Sequence, residues 1–592
     1  MKKRIITLAV TAALTSLVTA CVDEGDDGID GVDGLDGTTS NTNPLRRLAT
    51  APLGAEFTGM FLNDDGTFFL NVQHPSISNT TADANGYVYD KGTVGAIVGK
   101  DFRSLPDDIA ELDLPIINAD KEVVMTAVGS YQVLAQQDDA AAGIDLGKIF
   151  AADSTTELAS SDDPDFNGAI STGNTGEYFL YTNWEYRPGG MSRIQLGGLD
   201  PNNGYGSVTR EGMLDFSGVE GTWVNCFGTV SPWGSMLSAE ELYFDDTADW
   251  FDATNSSPQS LAAYLGYPTD GSGQWPNPYR YGYNVEVGGN NTATEAALAN
   301  VEINKNETLG RFSHENAVVM PDEKTVFLSD DGTDVVLFKF VADSAGNMSA
   351  GTLYAAKVTQ AAGVKDPAEA AFAVEWVELA HGDEADIESW IAEYDSATVA
   401  SPNYITDQQA NDWAEAKLHQ DLDGSGSIAT SPFSDDRPAF LESRKAAAAL
   451  GATDEFRKME GVNINYGRAS TWWNAGATDG ARAYMYLAMS SFDNGMSDEV
   501  GDIQLDGTNS KCGLVYRMKL EKNAAGEVDV KTMVPAIVGG PYYADREVNA
   551  CNVNNISNPD NLVIMDDGRV LVGEDSGNHE NNMVWLFDDP AI

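Results

Sequence analysis

The chain is poor in cysteine, histidine and basic residues. Four cysteines in 592 residues exclude a disulfide-built scaffold, and five histidines exclude His-rich metal chemistry as the default. Lys plus Arg number 35 against 91 Asp plus Glu, a formal charge of −56. An acidic surface of that size excludes simple nucleic-acid binding and docking on anionic membranes, both of which need a basic face. It leaves cation binding, or solubility in salty water. Long apolar runs are also scarce. Ile5–Ala20 is too short to span a bilayer comfortably. No Gly-x-Ser-x-Gly elbow occurs, so a serine hydrolase of the α/β type is unsupported. Gly95–Asp101 lacks the spacing and the hydroxyl of a phosphate-binding loop.

What is present reads as a folded, strand-rich protein. Hydrophobic residues make up 42% and aromatics 9%, ordinary for a globular chain. Fifty-eight glycines suit a fold with many turns. Residues 1–20 read as a signal peptide, with Lys2, Lys3 and Arg4 ahead of the apolar run. Val18-Thr-Ala-Cys21 is similar to a bacterial lipobox, which makes Cys21 the lipidation site. By the same likeness, Val22 in place of Asp favours the outer membrane, with the protein in the periplasm or facing outward. Residues 21–44, with glycine at every third position from Gly28 to Gly37, form a flexible acidic tether.

The folded body, 45–592, repeats one local design: an apolar strand, an acidic or Gly turn, and a second apolar strand. Met60–Val72, Ala317–Leu328 and Asn561–Val572 carry it, and the Asp-Asp-Gly turns favour tight hairpins. Hairpins from the first folded residue to the last suggest a β-propeller or a sandwich array. Residues 360–455 read as a helical insertion on this β body, on the Ala- and Glu-rich stretches Asp366–Ala397, Asp407–Gln420 and Glu442–Leu450; the alternative is a small separate domain.

One stretch carries chemistry of its own: Asn225-Cys-Phe-Gly-Thr-Val-Ser-Pro-Trp-Gly-Ser-Met-Leu-Ser-Ala-Glu-Glu241. A cysteine followed by a pair of carboxylates is a plausible iron site. The stretch resembles the signature of PhoX-type alkaline phosphatases, N-C-A-G-G-x-T-P-W-G-T-W-L-(S/T)-C-E-E. Further segments resemble the same family: Gly310-Arg-Phe-Ser-His-Glu315, Thr182-Asn-Trp-Glu-Tyr186 with Gly189-Gly-Met-Ser-Arg193, Lys458-Met-Glu-Gly461, Asn558-Pro-Asp-Asn561, Ala55-Glu-Phe-Thr-Gly59 and Asn71-Val-Gln-His-Pro75. In the family the last two motifs close the domain, whereas here they open it. A closed ring of blades tolerates such a shift of its ends.

The resemblance implies an all-β, six-bladed β-propeller with helical insertions and a metal site in its central channel. It implies Fe(III) and Ca(II) as cofactors, and a small phosphorylated substrate hydrolysed by in-line attack of an activated oxygen. Carried over by motif, Cys226, Glu241, Glu315 and Glu460 are the iron-side ligands. Asp560, Asn561 and Glu56 are calcium-side or bridging, and Glu185, Asn183 and Glu240 are further candidates. Lys458 stands where the family has Arg, so the anion grip falls to Lys458, Arg457 or Arg193. Trp184 replaces a family His, and the leader lacks the twin arginine of many relatives.

Two other readings stand beside the phosphatase. One is a calcium-dependent lactonase or phosphotriesterase on the same scaffold. The other is a non-catalytic surface-binding lipoprotein. Asp421, Asp423 and Ser425 occupy the first positions of an EF-hand-like loop whose twelfth residue is Pro432, a candidate peripheral calcium site that is incomplete. Cys512 and Cys551 are either a disulfide or two buried thiols. The expected partners are a small phosphate ester, no nucleic acid, a membrane only through the lipid anchor, and a monomeric assembly.

Overall fold

A computed structural model describes residues 44–590, apart from 142, 143, 243, 245, 295, 296 and 476–482. The signal peptide, most of the tether and Cys21 lie outside the described residues. No helix among these is long and apolar enough to cross a membrane.

The body is mostly β, and among the described residues its larger antiparallel sheets have four, four, four, five and nine strands, the nine-stranded sheet holding two of the six units described next. The first strand of each unit matters most for the site: β2 (Glu56–Leu62), β3 (Pro164–Ser171), β4 (Asn225–Val230), β5 (His314–Val319), β6 (Met459–Ile464) and β7 (Pro559–Ile564). All six are almost wholly buried. They touch in cyclic order: β2 packs beside β3, β3 beside β4, and so on to β7, which returns to β2.

The hairpins read from the sequence are the first two strands of three of these units. β2 pairs with Phe68–Gln73, β5 with Thr325–Asp330, and β7 with Val570–Glu574. In the Asp-Asp-Gly turns, Gly66 and Gly568 take φ of 87° and 98°, a conformation that residues with a Cβ seldom adopt. The last unit is completed by the beginning of the chain. The strand β1 (Leu45–Thr50) pairs with β8 (Met583–Phe587), with Leu45 opposite Phe587. The two ends of the folded body therefore share one sheet.

The apolar cores lie between neighbouring units. Phe57, Leu70, Leu571 and Leu586 join the last unit to the first, Phe69, Leu134, Leu180 and Leu196 join the first to the second, and Phe166, Tyr181, Met236 and Val285 join the second to the third. At about 25 cal/mol per Å² of apolar area buried, such interlocking faces are the dominant favourable contribution to holding the units together.

The helical segment is narrower than its sequence suggests. Helices α1 (Glu384–Ala392), α2 (Asp407–Leu418), α3 (Arg437–Leu441) and α4 (Ser443–Ala449) cluster within it. Residues Phe372–Asp383, read as helical, form a strand instead, paired along Asn347–Gln360. Its Phe-Ala-Val-Glu-Trp-Val alternation fits a pleated surface better than a helical face, and pairing overrode the Ala and Glu propensity. Ile387, Ile391, Trp413, Phe440 and Leu441 bury the helices against Phe338, Phe340 and Leu353.

Candidate metal centre

Each first strand delivers one acidic or thiol side chain near its N-terminal end: Glu56, Asp165, Cys226, Glu315, Glu460 and Asp560. In five of the units these residues sit at a shift of register. Pairing runs from Pro164 to Asn167, from Asn225 to Gly228, from His314 to Ala317, from Met459 to Val462 and from Pro559 to Leu562, skipping the residues between. A bulge of this kind re-aims side chains away from the ordinary alternation. The second strand of each unit then ends opposite the bulge, and the next residue is again polar: His74, Glu185, Glu241, Asp331, Ser490 and Asp575.

These positions converge. Asp165, Glu185 and Cys226 offer donor atoms within 4.8 Å of one another, as do Cys226, Glu241 and Glu315, and Glu315, Glu460 and Asp560. Cys226 Sγ lies 3.1 Å from Asp165 Oδ2 and 3.3 Å from Glu315 Oε2. Cys226 and Glu315 each belong to two of the groups, so the donor set is continuous. Glu56, His74 and Asp575 form a further group, with His74 Nε2 2.8 Å from Glu56 Oε1.

Burial drives the electrostatics. It pushes the carboxyl of Glu315 well up, and Asp560, Glu241 and Glu460 add to the rise. Burial also raises Glu241, with help from Asp331 and Glu185, and raises Asp560, with help from Glu460 and Glu56. Glu460 is pushed up to about 7 by burial and then by Asp331. The Cys226 thiol rises through burial and the carboxylates around it. So many like charges in one dry space need protons or cations between them.

The donors fit cations. Glu56 Oε2 and Asp560 Oδ1 are buried and make no hydrogen bond within the protein, an arrangement that favours a bound ion. Carboxylate oxygens suit hard cations, and one thiolate adds a strong anionic ligand.

Several expected residues stand elsewhere. Glu240 is not part of the centre. It accepts the main-chain N–H groups of Trp223, Gly282 and Tyr283 and pairs with Lys305 at 3.0 Å. It ends the strand on the face opposite Glu241, so period-2 alternation separates the two. Arg193 is fully buried, pairs with Glu211 at 2.5 Å and lies over Phe179, 4.2 Å from the ring centre. That is a packing role, and Arg193 takes no part in an anion grip. Arg457 turns to Asp493 at 2.9 Å and to Thr333. Asn561 stands at the edge of the centre, accepting from the Met60 N–H and donating to Asp560 Oδ2 at 3.0 Å. Asn183 donates to the Cys226 carbonyl at 2.5 Å.

Lys458 does reach the centre. Its Nζ lies 2.5 Å from Asp331 Oδ2 and 3.7 Å from Glu460 Oε1. Burial alone would lower its pKa, but Glu460, Asp331 and Glu241 more than offset that and raise it. Asp165, His74, Asp331 and Asp575 were missed by the sequence reading. The recurring strand start is the signal that finds Asp165: Pro164-Asp165-Phe-Asn aligns with Asn225-Cys226-Phe-Gly and Pro559-Asp560-Asn-Leu.

At the peripheral loop, Asp421 and Asp423 approach Glu415 of α2, a residue the sequence reading did not include. Asp421 accepts the N–H groups of Gly424, Ser425 and Gly426, Asp423 accepts from Ser425, and Glu415 accepts from Leu422, Asp423 and Ala429. Backbone N–H groups therefore donate to both carboxylate oxygens of Asp421 and Glu415 and to one of Asp423. Cys512 and Cys551 are joined as a disulfide, while Cys226 is a free, buried thiol.

Residues 180–588 match the family model described as alkaline phosphatase PhoX. The chain belongs to the PhoX family. It is accordingly a metal-dependent phosphatase, and the converging donors are its candidate metal-binding groups. No curated protein is detectably similar in sequence. Among solved structures it resembles Pseudomonas fluorescens PhoX in complex with vanadate, a transition state analogue. Identity there is 16%, over 91% of this chain and 87% of that one, with a TM-score of 0.48. A GH43 β-xylosidase/α-arabinofuranosidase from a compost microbial metagenome matches with a TM-score of 0.25 and 9% identity, over 57% of this chain and 96% of that one. Neither likeness is high enough to carry an argument.

Proposed function

We propose that this PhoX-family phosphatase hydrolyses small phosphate monoesters at a centre loaded with Fe(III) and Ca(II). Phosphodiesters are chemically accessible to the same donors. The supporting observation is the ring of donors itself, one from each first strand, with a single thiol at Cys226 among carboxylates. Cys226, Glu241, Glu315, Asp165 and Glu185 would hold iron. Glu460 and Asp560, with Glu315 between the two sets, and the outer group of Glu56 and Asp575, would hold calcium. Bound cations would offset the carboxylate field, polarise the phosphoryl oxygens and supply an oxygen nucleophile at workable pH.

The protein's own residues then have distinct tasks. Lys458 presents a positive charge beside Glu460 for a phosphoryl oxygen, as a point contact and without the two-pronged fit of an arginine. Ser490 donates to Glu460 Oε1 at 2.5 Å and orients it. Asn561 does the same for Asp560. The ring of six first strands supports reading the units as the blades of a six-bladed propeller with the centre at its axis. The lipobox at Cys21 supports export and a lipid anchor in the outer membrane.

The experiment is turnover of p-nitrophenyl phosphate at alkaline pH before and after chelation, with elemental analysis of the natively purified protein. The reading requires iron and calcium together and activity that disappears with the metals. Full activity in a protein stripped of metal refutes it.

A further inference from the structure

The hairpin that carries Glu315 ends in two adjacent carboxylates with different partners. Asp330 is fully buried and receives Arg444: Nε at 2.9 and 3.1 Å and Nη2 at 2.5 Å. Arg444 Nη2 also donates to the main-chain oxygen of Asp331 at 2.9 Å. Arg444 stands on α4, in the helical segment outside the strand units. The Asp331 side chain turns the other way, with Oδ2 2.5 Å from Lys458 Nζ. The backbone repeats the link, since the Lys458 N–H donates to the Gly332 carbonyl at 2.8 Å. Lys458 itself is held at φ 47°, a conformation unusual for a residue with a Cβ.

The helical segment grips a second strut of the same centre. Arg311, four residues before Glu315, donates its N–H to Ser443 Oγ at 2.9 Å and its Nη1 to the Leu441 carbonyl at 3.3 Å. The helices therefore bear on both segments that reach the metal groups from this unit.

We infer that Asp331 and Arg444 are positioning residues for the anion grip of Lys458. A lysine ends in a freely rotating ammonium on a four-carbon stem, and nothing in its own geometry aims it. Asp331 fixes one of its three donors, and Arg444 fixes Asp331 through its carbonyl and through Asp330. Held at 2.5 Å from Asp331 and 3.7 Å from Glu460, the ammonium has a fixed place from which to meet a phosphoryl oxygen. The inference rests on the reading that Lys458 contacts the substrate phosphate.

The test uses metal-loaded full-length protein and inorganic phosphate as the probe, with Kd from calorimetry and bound metal from elemental analysis. The variants are Asp331→Asn, Arg444→Gln, Arg444→Lys and Lys458→Met, with the first two repeated in the Lys458→Met background. Asp331→Asn is expected to weaken phosphate binding about tenfold, the scale of one hydrogen bond to a charged group, with metal content unchanged. Arg444→Gln should weaken it in the same direction, and Arg444→Lys should recover part of the loss. In the Lys458→Met background neither change should alter Kd further. Equal losses with and without Lys458 overturn the inference, as does an unchanged Kd. Loss of metal in Asp331→Asn also overturns it, because Asp331 would then be a ligand. Turnover of p-nitrophenyl phosphate by the unsubstituted protein is recorded in parallel. Its absence counts against the monoesterase reading alone, while the phosphate arm decides the role of Asp331 and Arg444.

Discussion

Glu240 and Glu241 are consecutive in sequence and serve opposite sides of the same strand end. Glu240 is sealed among three main-chain N–H groups and Lys305, while Glu241 joins Cys226 and Glu315. The pair separates a carboxylate tied into the fold from one in the candidate metal centre at a distance of one residue. Glu241→Gln should remove metal and activity and leave the melting temperature of the chelated protein nearly unchanged or higher, since it relieves buried like charge. Glu240→Gln leaves the Lys305 ammonium, 4% exposed, with one fewer charged partner. Breaking a buried pair costs about 3–5 kcal/mol, so this variant should lose stability while the surviving folded fraction keeps its metal. Thermal melts and elemental analysis of both variants decide the matter.

Cys226 is the one thiol in the ring, and it touches Asp165 and Glu315 at 3.1 and 3.3 Å. Cys226→Ser replaces a thiolate donor by a poorly acidic hydroxyl of similar size. The expected result is loss of iron with calcium largely retained, and turnover reduced by about tenfold to a hundredfold, the range seen when a supporting metal-site group is removed. Elemental analysis beside kcat measures both. Retention of iron at wild-type level would remove Cys226 from the ligand set.

Much of this was legible in the chain because local chemistry decided it. The Asp-Asp-Gly turns announced hairpins at Met60–Val72 and Asn561–Val572, and both formed. Cys226, Glu241, Glu315, Glu460 and Asp560 were marked by motif, and the fold brings them together. What failed depended on direction and partners, which a linear chain does not display. Glu240 and Glu241 cannot be told apart until the strand face is known. Arg193 looked available for a phosphate, yet Glu211 and two aromatic rings enclose it. Asp331 sits in Ser-Asp-Asp-Gly, which reads as another turn, and only the approach of Lys458 from 127 residues away reveals its use.

The Cys512–Cys551 disulfide closes a 39-residue separation just ahead of Asp560, and the Cys512 carbonyl accepts the Asn558 N–H at 2.9 Å. Asn558 also donates to the Ser490 carbonyl at 2.7 Å, so the bridge braces the approach to both Asp560 and Glu460. Removing a cross-link of this span costs about 4 kcal/mol in the chain-entropy account. The Cys512→Ser/Cys551→Ser variant should melt several degrees lower and release metal faster to a chelator. Unchanged metal release with a lowered melting temperature would confine the bridge to stability.

The pH response of the metal-free protein follows from the same crowding. Glu460 has its pKa raised from 4.5 to about 7, first by burial and then by Asp331, and burial holds Glu241, Glu315 and Asp560 well above their ordinary values. A raised carboxyl pKa means the folded state binds more protons than the unfolded one, so stability falls as pH rises. The contribution of Glu460 is complete below pH 4.5 and is lost as pH passes through about 7. Metals reverse the sign, because the ions replace the protons and bind best to the ionised groups. Chelated protein should therefore melt at a higher temperature near pH 5 than near pH 8, and the loaded protein should do the opposite. Glu460→Gln should flatten the chelated profile between pH 4.5 and 7, since the amide has no proton to lose. Parallel melting profiles for chelated and loaded protein would mean that the carboxylates of the ring are not where the metals bind.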